Sequence, residues 1–461
     1  MQPKRKRVSV AVIGGGITGI TAALYLAKTG RFRVILFEKK KELGGLSRSY
    51  QWKDIVWDRF YHVILSTDTH LLELIEELKI SQKLFWKDTK SGFYGDGKLV
   101  PFSSALDFIR FPFLSIFQKF RMALGILYGV RLENKVKLQR LYVGQWLTKV
   151  FGRRLYEKFW GPLLRSKLGD AREKTPAIFI WDTIVRLYGA RKGATKKEKM
   201  GHVCGGYNRI LDAAEKRLSE LDVKIIKNSA ILAVNINENR PIINNISKDT
   251  NISIDQSVKI EVVTGKGRDV FEKVVLTIPC PEILSILPVD HEKPYWVQLK
   301  KVRYLSVVCT FLVLTRSLSP YYVINLLDRD IPFTGIIEAT NIVDPDQIGG
   351  KHLIYLPKYI EGDSPIKSLS DDQIADLFVE NLRRVFPDLK DREIVHRRIF
   401  RETHVQPLSE LNALAYNLTA KTPIPGVYLL NTAMLANTTL NNNAVVTMAR
   451  RVVKEIRRSL I

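Results

Sequence analysis

Cysteine is scarce in this chain: three residues among 461, Cys204, Cys280 and Cys309, far apart and odd in number. No disulfide framework or cysteine metal site follows from such spacing, and a reducing compartment is the simplest expectation. The seven histidines are scattered as well, so no metal is expected. Acidic residues are in deficit, 47 against 72 lysines and arginines, for a formal charge of +25. That surplus favours anions such as lipid headgroups or phosphorylated substrates, although a solvated basic surface has the same composition. Recognition-helix, zinc-finger and RNA-binding signatures are lacking, which makes nucleic acid the least favoured partner.

One stretch resembles an export signal or membrane anchor: a basic start followed by an uncharged run from Val8 to Ala27. Its pattern argues otherwise. "VSVAVI" is rich in β-branched residues and ends in glycines, as a buried parallel strand does. Three consecutive glycines, Gly14 to Gly16, would weaken a helix there. Ile17, Ile20 and Leu24 then recur at helical spacing, with Gly30 as a stop. "FRVILFEKK" reads as a second strand with Glu38 at its end. Gly14-x-Gly16-x-x-Gly19 is therefore a dinucleotide fingerprint. Gly14 allows the tight turn, Gly16 the close approach of a pyrophosphate, and Gly19 the packing of helix on strand. Free amides at the helix start meet the phosphates. Glu38, about 20 residues further on, suits adenosine ribose hydroxyls and would repel a 2′-phosphate. The chain is thus expected to be cytoplasmic, without signal peptide or transmembrane helix, with peripheral attachment to the cytoplasmic membrane face left open.

A second glycine pair follows in "KKELGGLSRSY", then "WDRFYHVI". With "HVCGGYNRILDAAEKRL", "KVVLTIPCPEI" and the closing "PGVYLLNTAMLANTTLNNNAVVTMARRVVKEI", these stretches resemble the flavin amine oxidase superfamily. That group includes protoporphyrinogen oxidases and carotenoid desaturases, with UDP-galactopyranose mutase as a relative. The resemblance implies non-covalently bound FAD. It carries Ile17, Thr18, Lys39, Gly45, Leu46, Ser47 and Arg48 over as cofactor contacts beside the fingerprint and Glu38. It also implies Ile231 at the adenine through its backbone, and Thr277 and Pro279 beside the cofactor. Asn431 and Thr432 would sit at the ribityl chain and phosphates, and Asn443, Ala444 and Val445 at the amino end of a final helix facing the flavin. Two positions depart from the family pattern: Asn431-Thr432 stands where Gly-Asp is usual, and Phe60 where many members have glycine.

The implied fold is α/β: a Rossmann-type FAD-binding domain with an interleaved α+β substrate domain, a mixed sheet plus a helical insert. The FAD domain is expected in three pieces, 1–90, 196–285 and 420–461, with the substrate domain at 91–195 and 286–419. The first insert mixes large apolar residues with seven cations from Arg110 to Arg140. It reads either as an interfacial surface or as a helical lid over the substrate cavity. A basic linker from Val185 to Gly206 and an Asn-rich hairpin from Val234 to Ser257 are expected. Four strand-like runs, "RYLSVVCTFLVL", "YYVINLL", "FTGIIEAT" and "KHLIYLPKYI", should make the mixed sheet. Ser370 and Gln373 form a capping-box pattern before a helix.

The expected activity is an FAD-dependent oxidoreductase of dehydrogenase or desaturase type. It would pass hydride between flavin N5 and a hydrophobic or amphiphilic, anionic small molecule, with a separate electron acceptor because no second glycine fingerprint is found. His62 is the candidate catalytic group, or else a satisfied histidine at a domain seam. Tyr61, Tyr355 and Lys358 are candidate substrate contacts; for the last two, a core tyrosine and an exposed lysine is the plainer reading. A non-redox nucleotide-sugar mutase and a vestigial flavin-binding scaffold are the alternatives.

Overall fold

The computed structural model describes residues 7–133, 135–190, 199–237, 259–408, 411, 418–435 and 440–460. Val8–Ile13, buried after its first residue, is the centre of a five-stranded parallel sheet. Phe32–Phe37 pairs with it on one side and Lys273–Leu276 on the other; Lys224–Ile226 and Val427–Leu429 form the edges. A parallel sheet must be covered on both faces, which is why its central strands are nearly continuous apolar runs. The helices Ile17–Ala27, Asn208–Glu220 and Asn442–Arg458 share one core cluster on one face. The antiparallel strands Ile231–Asn237, Lys259–Thr264 and Gly267–Phe271 pack on the other with the helices Cys280–Ile286 and Pro294–Lys300. Gly265 to Gly267 forms the hairpin turn between the last two of these strands. The expected Asn-rich hairpin has its flanking strands, but residues 238–258 lie outside the described residues.

The four predicted runs form strands Tyr304–Leu314, Val323–Leu326, Gly335–Glu338 and His352–Ile360 of a seven-stranded mixed sheet. Ser91–Gly95 and Lys98–Pro101 extend it at one end. A strand that the sequence did not announce, Ile394–Pro407, closes the other end against Tyr304–Leu314. It pairs along one edge only and is rich in charge, which masks a strand's apolar alternation. The helix Asp371–Val385 covers one face of this sheet, and Ser370 and Gln373 do form its capping box.

The first insert is helical and has its own core around Phe111, Trp146, Phe151, Phe159 and Trp160. Its longest helix, Ile116–Arg131, packs closely on Val143–Phe151: a Cβ at Gly125 would lie 2.5 Å from the Phe151 ring. Trp181 Nε1 donates to the Gly129 carbonyl at 2.7 Å, fastening the helix Ala177–Ala190 to the same element. The basic stretch expected as a linker from Val185 is therefore helix as far as Ala190, and 191–198 lie outside the described residues. Among the described residues, no helix is long and apolar enough to cross a membrane.

Candidate dinucleotide cleft

A cleft of about 830 Å³ is walled by both large sheets and the helical insert, within the range of about 300–1,000 Å³ usual for ligand pockets. At one end, the fingerprint glycines take up the positions that their spacing demands. Gly14 has φ +109°, and a Cβ there would meet Thr277 Oγ1 at 2.6 Å. That hydroxyl donates to the Ile13 and Gly14 carbonyls, tying the neighbouring strand to the turn. At Gly19 an added Cβ would stand 1.9 Å from the Gly14 carbonyl oxygen, so the helix rests directly on the turn. Gly16 caps the helix without any side chain. A Cβ there would meet only Gly45 Cα, at 3.9 Å. The first-turn amides of Ile17 and Thr18 therefore open onto the cleft with the helix's partial positive charge.

The second glycine pair lies against the first. Gly44 N–H donates to the Gly15 carbonyl at 2.7 Å, and both Gly44 and Gly45 have positive φ. Glu38 is buried, and its carboxylate accepts the Gly15 N–H at 2.7 Å and the Lys40 N–H at 2.8 Å. Each oxygen keeps a lone pair for a further donor. Lys39 borders the same end, ion-paired with Glu282 at 2.8 Å. Leu46, Ser47 and Arg48 continue the wall. This open glycine cradle, with a helix start to meet phosphates and a fixed carboxylate to meet ribose hydroxyls, suits FAD.

Asn431 and Thr432 line the cleft on the closing segment. Asn431 is buried; its Oδ1 accepts the Ala433 N–H, and its Nδ2 donates to the Ile278 carbonyl at 2.9 Å. A glycine has no side chain to make either bond, which gives this departure from the family pattern a local role. Cys280 Sγ lies 3.4 Å from Asn431 Nδ2, so a cysteine distant in sequence does approach the closing segment, though fully buried. In the final helix the expectation needs correction. Asn443 Oδ1 accepts the Leu71 N–H, binding the helix to Thr69–Glu77, and the Ala444 N–H is taken by the cap residue Asn441. Val445 lines the cleft; Asn443 and Ala444 do not, and Leu440, Asn441 and Asn442 line it instead. Ile231 lies in the three-stranded sheet opposite Thr264 and is not in the cleft wall. Pro279 and Thr277 are in it.

The other end is built from Phe60 to Val63, from Val307, Pro357 and Tyr359 of the mixed sheet, and from Lys167, Thr183 and Arg186 of the insert. Arg401 to Gln406 of the unannounced edge strand complete it. Tyr61 and Tyr359 hydroxyls meet at 3.1 Å, and burial raises the Tyr61 phenol pKa. Strand alternation removes Lys358 from this wall, and burial removes Tyr355. Pro357 and Tyr359 line the cleft. Lys358, opposite Val308, is turned to the other face, where burial lowers its ammonium pKa. Tyr355 is fully buried behind Tyr61 and donates to the Asp58 carbonyl at 2.6 Å, so it is a core residue. On the two-residue period of "HLIYLPKYI" Tyr359 shares a strand face with Tyr355, and it is the tertiary packing that leaves Tyr359 at the cleft and Tyr355 behind it.

His62 reaches the cleft with Nδ1 3.7 Å from Asp58 Oδ2, too far for a hydrogen bond, and its ring is 4.5 Å from that of Tyr207. Arg59, also missed in the sequence, shares Glu402 Oε1 with Arg48, at 3.4 and 3.3 Å. Its guanidinium stacks on Phe400, and burial followed by the Arg48 charge lowers its pKa. Two largely buried guanidiniums thus share one carboxylate, leaving a positive surplus in the wall.

A phytoene desaturase from Synechococcus elongatus is 32% identical over 79 residues, 17% of this chain and 16% of that enzyme's length. The whole fold is shared with an oxidoreductase from Methanosarcina mazei (TM-score 0.74, 17% identity, covering 97% of this chain and 100% of that one). It is likewise shared with reduced UDP-galactopyranose mutase (TM-score 0.69, 14% identity, 98% and 96%). The profile of flavin containing amine oxidoreductases matches residues 17–439. With that match running from the helix after the glycine turn through both walls of the cleft, the chain belongs to the flavin-containing amine oxidoreductase family, and FAD is its cofactor.

Proposed function

We propose that the protein is an FAD-dependent oxidoreductase of dehydrogenase or desaturase type acting on a hydrophobic or amphiphilic, anionic small molecule, with a separate electron acceptor. The observation that carries this reading is the continuity of one cleft from the glycine cradle to a wall of aromatic and basic side chains. When bound, FAD supplies hydride exchange with a substrate carbon. The chain's own residues hold and orient. Phe60, Tyr61, Val307, Pro357 and Tyr359 offer an apolar surface that excludes water. Tyr61, with its pKa raised by burial, stays protonated and can donate. His62, which lines the cleft with Nδ1 turned toward Asp58, is the side chain that would hold or take a proton. Arg59 with Arg48 suits an anionic group. The proposed FAD domain, 1–90, 196–285 and 420–461, is supported by the parallel sheet, all of whose strands come from those stretches.

The test is anaerobic rapid mixing of the FAD-loaded protein with isoprenoid, polyprenyl-linked sugar and tetrapyrrole substrates. Bleaching of the flavin band by one class is expected; flavin that stays oxidised with all three would sink the reading. A nucleotide-sugar mutase is the second reading, favoured by the basic wall and the fold shared with the reduced mutase. Chemically reduced protein that neither binds nor converts nucleotide sugars would remove it.

A further inference from the structure

The helix Ile116–Arg131 is apolar on two sides. Met122, Gly125 and Gly129 face the insert's core. The opposite side carries Phe117, Phe120, Leu124 and Tyr128, at positions that recur on one helical face, and all four are exposed. Phe117 is 84% exposed, Ile116 beside it 77%, and Ile109 of the short preceding helix, Ala105–Arg110, 66%. Such a cluster of large apolar side chains in solvent calls for an occupant. Charge indicates which one. Residues 102–140 carry seven lysines and arginines against two acids, Asp107 and Glu133. Asp107 is engaged in the Ser104 capping box. Lys119 donates to the Ile109 carbonyl and Arg121 to the Val150 and Lys149 carbonyls, so these two cations sit beside the exposed stripe without a carboxylate to neutralise them. A second copy of the chain would bring like charges together across this face. An anionic bilayer would meet the cations and take up the aromatic side chains at once.

We infer that this face docks the protein on the surface of an anionic lipid bilayer, with Ile109, Ile116, Phe117 and Phe120 inserted among the headgroups and the flanking cations held above them. The helix Ala177–Ala190, fastened to Gly129 through Trp181, carries Thr183 and Arg186 into the cleft wall. Docking therefore sets a cleft wall one helix away from the membrane, a short route for an apolar substrate. The inference itself does not depend on the redox reading.

The test is flotation of the full-length, FAD-loaded protein with vesicles of phosphatidylcholine alone or with phosphatidylglycerol added, at low and high salt. Binding is expected to require the anionic lipid and to weaken with salt. The variant Phe117→Ser/Phe120→Ser should lose at least tenfold in partitioning while keeping its flavin spectrum and thermal midpoint. Arg131→Glu should weaken binding in the same direction without removing an apolar contact. Absence of binding at low salt, or unchanged binding by the Phe117/Phe120 variant, would overturn the inference. So would a dimer in velocity sedimentation that the same variant dissociates, because a second copy would then be the occupant. Since flotation reads binding and not turnover, its failure is distinct from failure to find a substrate.

Discussion

At the scale of single residues, Glu38 is the proposed link between fingerprint and cofactor. Two backbone amides fix its carboxylate at the cleft wall, and a hydrogen bond to a charged group is worth about 1.5–3 kcal/mol. Glu38→Gln should therefore weaken FAD binding roughly ten- to hundredfold by fluorescence titration; unchanged affinity would remove the ribose role. His202 makes a prediction about pH. Both its ring nitrogens are buried without a partner, and burial, reinforced by Lys87, lowers its pKa below the ordinary 6.5. A depressed histidine pKa means that the unfolded chain binds the proton first as pH falls. The contribution is complete above 6.5 and is lost as pH falls through the lower folded value. Urea unfolding between pH 8 and acid should show wild type losing stability below 6.5 and His202→Phe losing less. Parallel pH profiles would show that His202 is not the group responsible.

Among the elements, the final helix shows how little separates a correct element from a misplaced contact. The sequence located the helix, and the cofactor contacts expected at its start were Asn443 to Val445. The cap at Asn441 and the tie from Asn443 to Leu71 use the amide and side chain concerned, so the cleft meets the preceding residues. Asn441→Ala removes the cap and should cost about 1 kcal/mol in urea unfolding. It should also weaken FAD retention, because Asn441 lines the cleft. Asn443→Ala should destabilise comparably and leave FAD affinity unchanged. Equal effects of the two variants on FAD would place both at the cofactor. The strand Ile394–Pro407 is the opposite case: its charge hid it in the sequence, yet it supplies Arg401 to Gln406 to the wall.

Across the whole molecule, the cleft proposed to hold FAD has walls drawn from distant parts of the chain, so binding there should stabilise all of them together. At a hundredfold excess over Kd the linkage is about 2.7 kcal/mol. A single unfolding transition that rises with FAD is expected in calorimetry; a midpoint indifferent to FAD would argue against a cofactor held between the sheets. The sequence by itself determined the dinucleotide turn, its helix and Glu38, because glycine geometry and helix-end electrostatics act over a few tens of residues. It also determined four strands of the mixed sheet and the capped helix beside them, because local periodicity and capping chemistry suffice there. Only the tertiary structure decided that Tyr359 and not Lys358 lines the cleft, that Tyr355 is core, and that Arg59 and Arg48 share Glu402. Those outcomes depend on which strand face meets which partner, and on charges that are remote in sequence until the two sheets close around the cleft.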